Sequence, residues 1–213
     1  MKATVNGIQI AYTDEGKGMP ILFLHDFPLS RGAWSKQVDE FKTRFRVIAP
    51  DLRGFGESES TAGPVPIHRF VEDLHALMEH LVTGPVILAG HAMGGLVALA
   101  FASAFPRFIR GLVLVGMTTG VESVEVQNLV ANIRMPTLVI AGSEDALVPP
   151  ADAEALARLI PGAQLNLIPR AGHLVAFEQA AAFNEVMRNW LAWGSNGLNR
   201  NALQPARELA RPA

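Results

Sequence analysis

The chain reads as one α/β domain, a mostly parallel sheet of about eight strands with helices on both faces. Three observations point there. Short runs rich in Val, Ile and Leu alternate along the sequence with segments of helical period. Most of those runs are apolar throughout, as strands buried on both faces are. The 213 residues are 49% apolar, with 18 basic and 20 acidic side chains, which suits a globular domain with chain enough for a full core.

In order, residues 3–9 and 10–13 read as an edge hairpin, followed by strands at 20–24, 46–49, 86–89, 111–115, 137–141 and 164–168. Helices are expected at 33–42, 67–82, 93–105, 150–160 and 176–193. The 67–82 segment shows the pattern best: Ile67, Phe70, Val71, Leu74, Leu77, Met78 and Leu81 follow the 3.6-residue period, leaving Arg69, Glu72, Asp73 and Glu79 outward. Residues 195–213 read as a polar C-terminal extension beyond a core domain at 1–194.

Several function classes drop out on composition. Near-balanced charge gives no basic face for nucleic acid. The start, from Met1 to Gly7, lacks a signal pattern, and no apolar run approaches the roughly 18 residues of a membrane span, so the expectation is a cytoplasmic protein. Zero cysteines exclude a disulfide framework, a thiol nucleophile and a thiolate metal site.

In open parallel sheets, ligands bind beyond the carboxyl ends of the strands. The unusual polar and glycine-rich residues of this chain fall there repeatedly. They are His25-Asp26-Phe27-Pro28, Asp51-Leu52-Arg53-Gly54-Phe55-Gly56, Gly90-His91-Ala92-Met93-Gly94, Ser143-Glu144-Asp145 and Gly172-His173. The third has the frame of a nucleophile elbow, a strained strand-to-helix turn that demands glycines two positions either side of its centre. Position 92 carries a methyl where that turn would present a hydroxyl.

In this order and spacing, over roughly residues 3–193, the segments resemble the α/β-hydrolase superfamily and its small esterase and lactonase branch. The resemblance implies hydrolysis of a small carboxylic ester or lactone through an acyl-enzyme, with no cofactor and no metal. By position, Ala92 stands at the nucleophile, Asp145 resembles the triad acid and His173 the base, in the chain order expected of this fold. The backbone N–H groups of Phe27 and Met93 take the place of the oxyanion hole, and Leu29, Met117, Leu147 and Val175 would line an acyl pocket.

The chemistry explains the residue types. A neutral hydroxyl is a poor nucleophile at pH 7, so a histidine must take its proton and a buried carboxylate must fix that histidine's tautomer. His91 is expected to pack and hydrogen-bond beneath the elbow, His25 to buttress its own loop, and Asp51 with Arg53 to form a turn and ion pair. His68, His75 and His80 fall on or beside the exposed face of one helix, which makes no metal site without convergent ligands.

Three departures mark this chain off from the family pattern. Ala92 removes the nucleophile, a loss that costs on the order of 10^6 in turnover where it has been made in a serine hydrolase. With acid, base and oxyanion segments retained, Ala92 reads as a change that traps a substrate complex, the alternative being a naturally non-catalytic relative. The connection between the strands at 111–115 and 137–141 has room for a single helix within 121–134, too little for the helical cap that relatives insert there, which fits a minimised chain. Asp26 replaces a small residue in the oxyanion loop. Since Asp tolerates positive φ, the expected arrangement is a carboxylate bonded to its own loop, the alternative one turned toward the oxyanion position. Other readings of the whole are a cofactor-free perhydrolase or haloperoxidase and a non-catalytic ligand receptor. A dehalogenase is disfavoured because it requires a carboxylate at position 92.

Overall fold

In strand β3 (Pro20–Leu24), Ile21 and Phe23 face one side of the sheet and Leu22 and Leu24 the other, and all four are fully buried. Strands β5 (Val86–His91) and β6 (Ile109–Val115) repeat the pattern, with Ile87, Ala89, Val113 and Val115 in the first core and Val86, Leu88, Leu112 and Leu114 in the second. Two-sided burial is what makes these runs apolar at every position. The structure, a computed structural model, describes residues 1–117 and 123–201.

The other strands are β1 (Lys2–Val5), β2 (Ile8–Glu15), β4 (Arg46–Pro50), β7 (Thr137–Gly142) and β8 (Gln164–Ile168). They form one eight-stranded sheet in the order β1-β2-β4-β3-β5-β6-β7-β8. β2 pairs antiparallel with both β1 and β4, and every other pairing is parallel. The first core holds helices α1 (Ser35–Phe41), α6 (Val175–Glu178) and α7 (Ala180–Asn201). The second holds α2 (Ile67–His80), α3 (Met93–Ala104), α4 (Val124–Val130) and α5 (Pro150–Leu159).

The expected α/β-hydrolase architecture, an eight-stranded mostly parallel sheet with helices on both faces, is the one observed. Among the described residues, α4 alone lies between β6 and β7, while residues 118–122 fall outside them. Two boundaries differ from expectation. The hairpin turns at Asn6 (φ 46°) and Gly7 (φ 75°) rather than near residue 9. Asn-Gly is the dipeptide that supplies positive φ at both centres of a two-residue hairpin loop. The segment expected as one helix at 176–193 is α6 and α7, and α7 runs on to Asn201, into the segment read as a polar extension. The rest of that extension, 202–213, lies outside the described residues.

Candidate active site

β5 ends at His91 and α3 begins at Met93, so Ala92 makes the whole turn, with φ 45° and ψ −107°. Such a conformation costs a residue with a Cβ roughly 1–3 kcal/mol. Here the surroundings impose it. Ala92 N–H donates to the Val115 carbonyl at 2.9 Å, and the Ala92 carbonyl accepts from Leu96 N–H at 3.0 Å. The flanking glycines are sterically required. A Cβ at Gly90 would sit 2.2 Å from the Gly94 carbonyl oxygen, and one at Gly94 would sit 2.5 Å from the carbonyl oxygens of Leu24 and His25.

Asp145 follows β7 and His173 follows β8, and the fold brings them together. His173 Nδ1–H donates to Asp145 Oδ2 at 2.8 Å, while Asp145 Oδ1 accepts from the N–H groups of Leu147 and Val148, both at 2.9 Å. The Asp145 side chain is 0% exposed and that of His173 is 14% exposed. A buried carboxylate fixed by backbone donors thus holds the imidazole with its proton on Nδ1 and its lone pair on Nε2, the arrangement a general base needs.

Asp26 is where expectation and structure part. Its φ is not positive, and its carboxylate does not turn back on its own loop. Oδ1 accepts the N–H of Met93 at 3.1 Å, and Oδ2 lies 3.4 Å from His173 Nε2. The reason is local. The Asp26 carbonyl already accepts from Leu29 N–H and from His25 Nδ1, each at 2.8 Å, which pins the loop backbone and leaves the side chain to point inward. The Met93 donor assigned to an oxyanion is therefore engaged by a carboxylate.

His25 and His91 lock the loops around this centre. His25 Nε2 accepts from Leu52 N–H at 2.9 Å, and burial lowers its pKa. His91 Nε2 donates to the carbonyl oxygen of His173 at 2.9 Å, and burial pushes its imidazole down to about 4. Asp51 and Arg53 do not pair with each other. Asp51 takes Arg31, whose N–H and guanidinium it accepts, and Arg53 takes Asp73 at 2.6 Å. Asp73, expected outward on its helix, is therefore buried. His75 stacks on Phe105 at 4.5 Å between centroids instead of facing solvent.

The expected acyl-pocket residues mostly lie elsewhere. Leu147 is 76% exposed, and Val175 and Met117 belong to the two cores, where packing needs their side chains. Leu29 does line a cavity of about 440 Å³ beside the dyad, together with Trp34, His91, Leu174, Ala176 and Phe177. Only His91 and Leu29 of these were singled out from sequence. The remaining signal lay in apolar residues just downstream of the two site loops, which core packing explains equally well. Asp26, His91 and His173 each offer one metal-ligand atom within 4.8 Å of the others. Two of these groups are already spent, the Asp26 carboxylate on Met93 N–H and His91 Nε2 on a carbonyl.

A family model described as the alpha/beta hydrolase fold matches residues 19–131 and 120–180, and the chain belongs to that family. It is similar to a thermophilic esterase from Thermogutta terrifontis, with 30% identity, a TM-score of 0.81 and coverage of 91% of this chain and 97% of that one. The soluble epoxide hydrolase of a Corynebacterium species is 34% identical over 56% of this chain, which spans 42% of that relative's length. The 2-hydroxy-6-oxo-2,4-heptadienoate hydrolase of Pseudomonas putida is 25% identical, covering 87% of this chain and 94% of the relative. The enol-lactonase of Burkholderia xenovorans, at 22% identity and a TM-score of 0.84, shares the fold. No described helix is long and apolar enough to cross a membrane.

Proposed function

We propose that this chain is built on the plan of a hydrolase of small carboxylic esters or lactones and that, with Ala92 at the elbow, it forms no acyl-enzyme. The observation that carries the reading is the His173–Asp145 pair at 2.8 Å, a proton-transfer dyad set beside an intact elbow turn. The Thermogutta terrifontis esterase, similar over 91% of this chain, supports esters as the substrate class of the plan, and lactones are cyclic esters with the same carbonyl chemistry. In that plan Ala92 is the nucleophile position, Asp145 the acid and His173 the base, with Phe27 and Met93 as oxyanion donors.

The Asp26 contact refines the test. Restoring serine alone leaves Met93 N–H bonded to Asp26 Oδ1, with a negative charge where the tetrahedral oxyanion would form. Loss of one oxyanion donor costs about 10^2 to 10^3 in kcat. The double variant Ala92→Ser/Asp26→Gly should therefore hydrolyse a short p-nitrophenyl ester at least about 10^3 faster than the starting chain, and Ala92→Ser alone about 10^2 more slowly than the double. His173→Ala added to the double should erase the gain. A folded double variant that stays at the starting level removes the ester and lactone reading.

A further inference from the structure

Three side chains at the site are each held by a bond made through one atom, and each keeps a lone pair on another. His173 Nδ1–H donates to Asp145, which leaves Nε2 bare. His91 Nε2–H donates to the His173 carbonyl, which leaves the ring's lone pair on Nδ1. Asp26 engages the Met93 N–H through Oδ1 and keeps Oδ2. A histidine that ligates a metal ion characteristically donates its second ring N–H to a carboxylate or a backbone carbonyl, which fixes its tautomer and orientation. Both histidines here do so, one to each kind of acceptor.

We propose that Asp26, His91 and His173 form a binding site for a divalent transition-metal ion of the zinc type. The spacing suits one. Each residue offers one ligand atom, and these atoms lie within 4.8 Å of one another. His173 Nε2 and Asp26 Oδ2 are 3.4 Å apart, beyond the usual range for a hydrogen bond between nitrogen and oxygen. Two ligands of a tetrahedral zinc ion, each about 2.0–2.1 Å from it, stand about 3.3–3.4 Å from each other. The charge suits a cation as well. Asp26 faces the centre directly and the buried Asp145 stands behind His173, while among the described residues neither carboxylate pairs with a lysine or an arginine.

The donor set selects the ion. Two imidazoles and one carboxylate suit zinc, cobalt or nickel, whereas magnesium and calcium take sets made of oxygen. Three protein ligands leave the fourth tetrahedral position open, as at zinc sites that hold an exchangeable ligand. The ligands come from the loop after β3, the end of β5 and the loop after β8, so no local spacing in the sequence announces them. An ion on His173 Nε2 takes the lone pair with which this histidine would accept a serine's proton, and the two roles therefore exclude each other. The site belongs to the chain as it stands and is independent of the ester-hydrolase reading, since it uses neither a serine nor an acyl group.

The full chain, stripped with a chelator and titrated calorimetrically with zinc chloride, should bind a single ion per chain. Asp26→Asn keeps the side-chain shape and His91→Gln keeps a donor for the His173 carbonyl. These two changes and His173→Ala should each weaken binding more than about 100-fold, because loss of an outer partner alone costs about 10 to 100-fold. Asp145→Asn removes such an outer partner and should weaken binding by about 10 to 100-fold. His68→Gln/His80→Gln, which removes exposed histidines of α2, should leave it unchanged. Cobalt(II) in place of zinc should give the intense visible absorption of a tetrahedral ion, and Asp26→Asn should abolish it. Absence of saturable binding overturns the proposal. So does zinc that binds undiminished to Asp26→Asn, His173→Ala or Asp145→Asn protein of normal melting behaviour, or binding lost with His68 and His80. None of these results depends on whether Ala92→Ser/Asp26→Gly gains esterase activity.

Discussion

At position 26, one side chain sets the electrostatics of the site, and its direction was not legible in the sequence. Asp is compatible with a loop-bonded rotamer and with an inward one. The choice was made by His25 and Leu29, which both bond the Asp26 carbonyl and hold the backbone in place. The dyad was legible because its members are rare polar residues at strand ends with no packing reason to be there. His91 gives a residue-scale prediction. Burial lowers its imidazole to about 4 from the ordinary histidine value of about 6.5, so between these values the unfolded chain binds the proton and the folded chain does not. Stability from this group is thus present above about pH 6.5 and is lost as pH falls toward 4. His91→Gln keeps a donor for the His173 carbonyl but does not titrate. Urea midpoints at pH 7 and 4.5 should fall less for His91→Gln than for the unmutated chain; equal falls would show that His91 carries no such linkage.

Elements were read well where burial on both faces leaves a continuous apolar run, as in β3, β5 and β7, and less well where short-range geometry decides. The hairpin turn at Asn6-Gly7 and the break between α6 and α7 are of the second kind. The outward reading of Asp73 failed because helical periodicity sorts polar from apolar positions but does not see a partner arriving from another loop. Arg53 comes from the segment after β4 and meets both Asp73 carboxylate oxygens, at 2.7 and 2.6 Å, while Asn6 Nδ2 donates to Oδ1 at 3.1 Å. The pair ties α2, the β1–β2 turn and the loop after β4 into one corner. Its side chains are 5% and 6% exposed, so removing one partner strands a buried charge. Asp73→Ala should therefore cost about 3–5 kcal/mol in denaturant unfolding. Arg53→Met with Asp73→Leu should recover most of that loss, because a packed apolar pair has no charge to desolvate. A small cost for Asp73→Ala alone would mean that Arg53 finds water or another acid.

For the molecule as a whole, the sheet order carries five site loops to one rim, and how far the described residues cover that rim bears on access. Among the described residues only the seven-residue α4 lies between β6 and β7. The match to the Pseudomonas putida hydrolase runs over 258 aligned positions while covering 87% of this 213-residue chain, so the two differ by sizeable insertions. On the open side the His173 side chain keeps 14% of its surface in solvent and Leu147, expected as a pocket wall, is 76% exposed. Pocket walls that touch a substrate discriminate by about 10 to 200-fold per methylene-sized difference, and a face on which the described residues build no wall gives them nothing to discriminate with. In the Ala92→Ser/Asp26→Gly background, butyrate esters of a compact and of a bulky branched alcohol, matched in leaving-group pKa, should therefore differ in kcat/KM by less than about tenfold. The acyl side should behave differently, since the cavity at Leu29, Trp34 and Phe177 is walled: lengthening the acyl chain should change KM well before kcat. Strong selection against the bulky alcohol would mean that something covers the rim in solution. If that selection weakens on dilution the cover is a second copy of the chain, and if it is independent of concentration the cover is part of the chain itself.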